Sequence, residues 1–235
     1  MATEAPSKAI CECPHEDCGA YFTAHARPDD RTTCCPKCGR QQALNPVPPV
    51  PAYYDPVWMA AAPPPDRVLA ELMTLDWLAV TPARKEYFMS DVPRSYAYKT
   101  YDGPREYHSS PYTPYVDMLR RTLNLAFDTR YNVCFLNRYD DQLQHLGWHA
   151  DDSPEMDHEH PIGVVSYGAE REIWWKEKAF KGVVPPENRR LLQHGSMFVM
   201  PPGFQLTHLH RIPKADKAVG TRVSLTFRRY LDKKG

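Results

Sequence analysis

No stretch of this 235-residue chain approaches 18 consecutive apolar residues, so no membrane-spanning helix and no membrane partner are expected. The N-terminus, MATEAPSKAICEC, lacks a basic start running into an apolar segment, so no secretory leader is expected either. An excess of one charge is also missing, since 29 Lys plus Arg balance 29 Asp plus Glu. That balance excludes a histone-like binder held by bulk electrostatics, while leaving room for a local basic strip. Glycine is scarce, with 11 residues against 24 prolines, and the prolines are concentrated. Beyond residue 38 cysteine almost disappears: six of the seven lie between Cys11 and Cys38, leaving only Cys134. A disulfide framework would spread cysteines through the domain it staples. Metal binding in a reducing cytosol is the expected use, and a cytoplasmic location goes with it.

What is present divides into three segments. Residues 1–45 carry the cysteine cluster, and residues 46–65 hold eight prolines, which suggests an extended, semi-rigid linker. Residues 66–235 read as one compact domain. It opens with DRVLAELMTLDWL, where Val68, Leu69, Leu72, Met73 and Leu75 recur at helical spacing and Asp66 is placed to cap the start. A second helix is expected over Pro114–Leu125, with Val116, Leu119 and Leu123 as its apolar stripe. Then come short runs of period two: YNVCFLNRY, GVVSYG, EIWWKE, GSMFVMPP and TRVSLTFRRY. Helices first and many strands afterwards predict a mostly β fold with flanking helices, packed as a sandwich or barrel.

The cysteines form two knuckles, Cys13-Pro-His-Glu-Asp-Cys18-Gly and Cys35-Pro-Lys-Cys38-Gly, separated by sixteen residues. The glycine after each second cysteine permits a turn that aims both sulfurs at one point. Cys13, Cys18, Cys35 and Cys38 are the preferred ligands of a structural Zn(II) in a zinc-ribbon-like module. Cys11 and Cys34 are spare thiols, and His15 could replace one of the four.

The large domain carries a second donor set. His149-Ala-Asp151 places an imidazole and a carboxylate at i and i+2, on one side of an extended segment. A distant histidine, His208 or His210, would complete the two-His-one-carboxylate face of a non-haem Fe(II) oxygenase. The pair alone is weak, but Arg222-Val-Ser-Leu-Thr-Phe-Arg228 strengthens it. Val223, Leu225 and Phe227 face one way, whereas Arg222, Ser224, Thr226 and Arg228 face the other. Two arginines on the inner side of a barrel need an anionic partner, which a dicarboxylate cosubstrate supplies.

The ordered motifs NRY (137–139), GWHADD (147–152), PIGVVSYGAERE (161–172), HGSMFVMPP (194–202) and HRIPKADKAVGTRVSLTFRRY (210–230) resemble the AlkB family of Fe(II)/2-oxoglutarate-dependent dioxygenases. The likeness is to the branch that dealkylates nucleic acid. It covers roughly 130–230 strongly and 92–110 loosely, leaving out the cysteine module and the proline segment. It implies a double-stranded β-helix (jelly-roll) domain that uses Fe(II), 2-oxoglutarate and O2.

His149, Asp151 and His210 would bind iron, His210 being preferred to His208 because the family's second histidine stands twelve residues before the first arginine. Asn137, Tyr139, Arg222, Thr226 and Arg228 would hold 2-oxoglutarate. Asp152 matches an acidic residue that contacts the target base, and Tyr107, or Tyr98, would stack on that base. Ser224 stands where the family usually carries Asn, and Ser153 where an acidic residue is common.

The activity implied is oxidative demethylation of alkylated bases in DNA or RNA by a protein acting as a monomer. Rival readings are hydroxylation of a protein side chain or free nucleotide on the same iron, and a non-catalytic nucleic-acid reader. Lys176, Lys178, Lys181, Arg189 and Arg190 offer a phosphate-contacting strip. The loop SPEMDHEHP, with Asp157, His158, Glu159 and His160, is expected to be solvated. Trp148, Trp174 and Trp175 are expected to pack, His145 and His194 to be structural, and Cys134 to be a small buried hydrophobe.

Overall fold

The computed structural model describes residues 7–12, 21–26, 32–34, 37–43, 53–55, 63–100 and 103–231. The N-terminal segment contributes two hairpins, β1 (Ser7–Glu12) with β2 (Tyr21–Ala26) and β3 (Thr32–Cys34) with β4 (Gln41–Ala43). Cys13 and Cys18 fall in the stretch between β1 and β2, and Cys35 and Cys38 in that between β3 and β4. Cys13, His15, Cys18 and Cys35 themselves lie outside the described residues.

Two antiparallel sheets face one another in the large domain. The major sheet runs β5 (Tyr53–Asp55), β15 (Met197–Met200), β12 (Ile162–Gly168), β17 (Arg222–Arg228), β10 (Val133–Tyr139), β7 (Arg84–Ser90), β6 (Leu78–Thr81). The minor sheet runs β11 (Leu146–His149), β16 (His208–Ile212), β13 (Arg171–Glu177), β14 (Arg189–Leu192). A separate hairpin pairs β8 (Ser95–Thr100) with β9 (Gly103–His108). This is the expected jelly roll with flanking helices.

The proline-rich stretch needs correction as a linker, because Tyr53–Asp55 adds an edge strand to the major sheet against Met197–Val199. Prolines on either side suit an edge, where half of the backbone donors need no partner. Helix α1 spans Pro65–Met73 and begins earlier than the sequence suggested. Pro64 is its N-cap and makes no side-chain cap bond, so Asp66 sits within the first turn, near the positive end of the helix dipole. Helix α2 spans Pro114–Ala126.

Two apolar layers result from strand alternation. Val223, Leu225 and Phe227 of β17 pack with Leu136 of β10 against Val68 and Leu72 of α1 and Val116, Leu119 and Leu123 of α2. Phe88, Phe135, Val164, Ile173, Trp175 and Phe198 fill the space between the sheets. Cys134 is buried among the helix-facing residues, where loss of solvation pushes its thiol pKa up and keeps it inert. One turn depends on glycine: Gly168 has φ +84°, and a Cβ there would stand 2.3 Å from the Thr221 carbonyl oxygen.

Leu119 is fully buried, whereas Leu125 on the same helix is 86% exposed. Leu119→Ala should therefore destabilise the domain by roughly 2–5 kcal/mol, and Leu125→Ala by less than about 0.5 kcal/mol. Urea unfolding of both variants measures the difference, and comparable losses would contradict the layer assignment.

Candidate active site and metal centre

The cross-strand register builds the centre. Residues His149 of β11 and His210 of β16 lie directly opposite one another, and their ring centroids are 4.1 Å apart. Beyond the end of β11 the chain turns inward, and Asp151 Oδ1 comes within 3.6 Å of His149 Nε2. One donor atom from each of His149, Asp151 and His210 lies within 4.8 Å of the other two. The backbone N–H of Asp151 donates to Gln205 Oε1 at 2.9 Å, which fixes the approach of the carboxylate. His149 Nδ1 is 2.9 Å from the Gly147 carbonyl oxygen. That bond assigns its proton to Nδ1 and leaves the Nε2 lone pair for a metal.

Protonation states suit metal binding. Burial works against the Asp151 charge, but Arg228 and the two imidazoles outweigh it and hold the carboxyl at about 2. His210 is pushed down to about 3, by burial first and then by His149; burial also lowers His149. Two neutral imidazoles and an ionised carboxylate are the forms a divalent ion requires.

The donors open onto a cavity of about 190 Å³, lined among others by Arg84, Asn137, Tyr139, Arg222, Ser224, Thr226 and Arg228. The strand phase read from the sequence holds: every second residue of β17 faces this cavity, and the others face the helices. An edge strand with a solvated face is excluded, since β17 lies between β12 and β10 and all seven residues are buried. Arg228 Nη2 is 2.8 Å from Asp151 Oδ2. Arg222 is wholly buried, and its Nη2 donates to Ser166 Oγ at 2.8 Å. Its Nε and Nη1 have no hydrogen-bond partner among the described residues. Burial pulls its pKa to about 10, which still leaves it charged at neutral pH. A buried cation with unused donors is expensive unless an anion meets it, so these residues fit a carboxylate-bearing cosubstrate.

Several sequence expectations are corrected. Tyr107 does not face the cavity: it is 1% exposed, packs edge-on to Phe135 at 5.2 Å and donates its hydroxyl to Glu86. The Tyr98 side chain lies outside the described residues. Asp152 needs no such correction: next to Asp151 but outside the cavity lining, it is half-exposed and 3.3 Å from Lys178 Nζ. His208, two residues along the same buried face of β16, stays outside the ligand cluster, stacking on Phe204 at 4.7 Å, with Nδ1 2.8 Å from Thr207 Oγ1.

The loop around Asp157 is tied down rather than solvated. Asp157 Oδ2 lies 3.0 Å from His160 Nδ1 and 3.2 Å from Arg229 Nε, and its N–H donates to the Arg229 carbonyl oxygen at 2.9 Å. His194 Nδ1 accepts the Gly168 N–H at 2.8 Å, a structural use. Sequence reasoning missed Arg84, which lies outside the motif-rich region and opens an unremarkable strand.

Trp175 packs in the core, but Trp148 and Trp174 turn to the outer face of the minor sheet. They form a row across all four strands. Arg211 lies 4.8 Å from the Trp148 ring and 4.2 Å from Trp174, Arg189 covers Trp174 at 4.2 Å, and Lys176 covers Trp148 at 4.9 Å. Glu172 accepts the Trp174 indole N–H at 2.8 Å. Among the described residues, Lys176, Arg189 and Arg211 make no ion pair.

A two-histidine, one-carboxylate face inside a jelly roll, with arginines across a small cavity, defines a non-haem iron oxygenase fold and centre. The sequence profile described as the 2OG-Fe(II) oxygenase superfamily matches residues 74–228. The chain belongs to that superfamily and, within it, to the AlkB family. It is 34% identical over 127 residues to the DNA oxidative demethylase ALKBH2 of Bos taurus, covering 52% of this chain and 45% of that one. With human ALKBH2 it shares 32% identity over 125 residues, 52% and 48% of the two chains. The alpha-ketoglutarate-dependent dioxygenase alkB homolog 3 of Bos taurus is 26% identical over 156 residues, 62% of this chain and 51% of that one. The chain thus spans about half the length of the curated relatives it matches.

Arg228 and Arg229 separate the cavity from the loop. Arg228→Ala should weaken 2-oxoglutarate binding by about 2–5 kcal/mol. Arg229→Ala should leave that affinity within about twofold and instead lower stability by roughly 1–2 kcal/mol, through Asp157. Titration calorimetry and thermal unfolding of the two variants check this; equal effects on affinity would mean the strand phase is wrong.

Proposed function

We propose that this protein oxidatively demethylates alkylated bases in DNA or RNA, converting 2-oxoglutarate and O2 to succinate and CO2 while the methyl group leaves as formaldehyde. The observation that carries the oxidative part is the convergence of His149, Asp151 and His210 on a cavity whose Arg222 has unused donors. Bound Fe(II) would supply the oxidising chemistry. The chain's own residues supply the rest. His149, Asp151 and His210 would hold the ion from one side, where their donor atoms border the cavity. Arg222, Arg228, Asn137, Tyr139 and Thr226 would orient the dicarboxylate, and the apolar residues between the sheets keep water from the reacting atoms.

The nucleic-acid part is supported by the names of the relatives and by the outer row of Trp148, Arg211, Trp174 and Arg189. Stacked guanidinium groups that have no carboxylate partner among the described residues suit a phosphodiester backbone, and the row begins one residue from His149. Asp152 stands at the rim, where a flipped base would enter. Its carboxylate can accept from an exocyclic amino group or offset the charge of an alkylated ring once Lys178 releases it. The N-terminal hairpins would hold a structural zinc through Cys13, Cys18, Cys35 and Cys38, in a reducing, cytoplasmic setting and in a monomeric protein.

Incubating the protein with Fe(II), 2-oxoglutarate and air against a panel of methylated oligonucleotides should release formaldehyde and the unmethylated base, read by mass spectrometry. Asp151→Ala should abolish turnover. Asp152→Ala should keep iron binding and uncoupled succinate formation but lose roughly tenfold or more in demethylation. Succinate formation with no oligonucleotide demethylated would move the assignment to another hydroxylation substrate. Metal analysis of anaerobically prepared protein should show zinc lost with residues 1–45 and iron lost with His149→Ala. Iron retained by the N-terminal segment alone would contradict the two-centre reading.

A further inference from the structure

We propose that Arg84 is a positioning residue for 2-oxoglutarate, acting through the side-chain amide of Asn137. The inference rests on the cosubstrate reading above. Arg84 opens β7, and alternation puts Arg84, Glu86 and Phe88 on the inner face of the major sheet. Glu86 lies opposite Asn137 in the β7–β10 register and is fully buried. One of its carboxylate oxygens receives the Tyr107 hydroxyl, and the other meets the Arg84 guanidinium. That pairing anchors Arg84 at a site where a lone buried carboxylate would otherwise be costly.

The anchored guanidinium then donates its Nε–H to Asn137 Oδ1 at 2.9 Å. Arginine has donors only, so the amide must turn its oxygen toward Arg84 whatever else it touches. Oxygen and nitrogen sit on opposite sides of the amide, so the Nδ2 hydrogens face away from Arg84. Asn137 is 6% exposed and lines the cavity, and among the described residues no second hydrogen bond to its side chain competes for those hydrogens.

A carboxylate accepts and cannot donate. With the amide held in this sense, Asn137 offers a dicarboxylate a hydrogen-bond donor. Turned the other way it would set oxygen lone pairs against the carboxylate. Arg84 thus decides whether Asn137 attracts or repels the cosubstrate. The chain of contacts from Tyr107 through Glu86 and Arg84 to Asn137 also ties the β8–β9 hairpin to the cavity wall.

The test is a double-mutant cycle read by calorimetric titration of 2-oxoglutarate into anaerobic, Mn(II)-loaded protein, with steady-state kinetics alongside. Arg84→Met keeps length and removes the donor. It should raise the dissociation constant and the KM for 2-oxoglutarate roughly tenfold, with kcat within about twofold. Asn137→Ala should lose a similar amount, and the double variant should lose no more than Asn137→Ala within about twofold. If Arg84→Met alone unfolds because Glu86 loses its partner, Arg84→Met/Glu86→Gln removes both charges and carries the same comparison. Unchanged affinity in the Arg84 variant would overturn the proposal. So would losses that multiply in the double variant, because Arg84 would then be an independent contact. Failure of the parent protein to bind 2-oxoglutarate would sink the cosubstrate reading itself, and the role of Arg84 with it.

Discussion

Guanidinium groups buried between two apolar sheets are tolerable only where negative charge answers them, and this requirement organises the centre of the protein. Arg228 is answered by Asp151 at 2.8 Å, so one carboxylate serves both the metal face and the cosubstrate wall. Among the described residues Arg222 finds no carboxylate and has the Ser166 hydroxyl and the Tyr139 ring, 5.4 Å from its guanidinium carbon. The barrel is therefore built with a deficit of negative charge at one end of the cavity. A dicarboxylate restores the balance, which explains why so costly an arrangement persists in a domain with ample apolar surface to bury.

The rest of the fold delivers those groups. Strand β17 lies between β12 and β10, so both its faces are covered and its alternation becomes a strict division of labour. Its apolar set seals the sheet against α1 and α2, and its polar set faces the cavity. The minor sheet applies the same rule to β11 and β16: His149 and His210 turn inward, while Trp148 and Arg211 turn out. A single sheet thus carries metal ligands on one side and a cation–aromatic row on the other. Stacking of this kind contributes about 0.5–2 kcal/mol per contact and holds the guanidinium forks rigid.

Secondary contacts fix what the strands leave loose. Arg171 donates to the carbonyl oxygens of Asp141, Gln144 and Pro213, clamping the approaches to β11 and the exit from β16. Asp157, His160 and Arg229 pin the connection that follows the ligand segment Ala150–Asp152. Both clusters lie away from the reacting atoms, and both restrict the backbone that presents His149 and Asp151.

The sequence alone determined the elements whose signal is local. Period two in TRVSLTFR, the i, i+2 spacing of His149 and Asp151, and the stripe of Val116, Leu119 and Leu123 are each properties of one short segment, and each brings its residues together in the fold. Tertiary structure decided whatever depends on which surfaces meet. Tyr53–Asp55 reads as linker because prolines surround it, yet Met197–Val199 offers it an edge to pair with. Tyr107 has an aromatic ring suited to stacking, but Phe135 and Glu86 claim it for the core. Asp157 carries a charge that would be solvated in an isolated loop; beside its near neighbour His160, the chain leaving β17 brings Arg229 to it from far along the sequence. Arg84 and Asn137 stand 53 residues apart, with no shared motif to link them. Their hydrogen bond exists because β7 and β10 lie side by side, a proximity fixed by burial of both strands and absent from any local pattern.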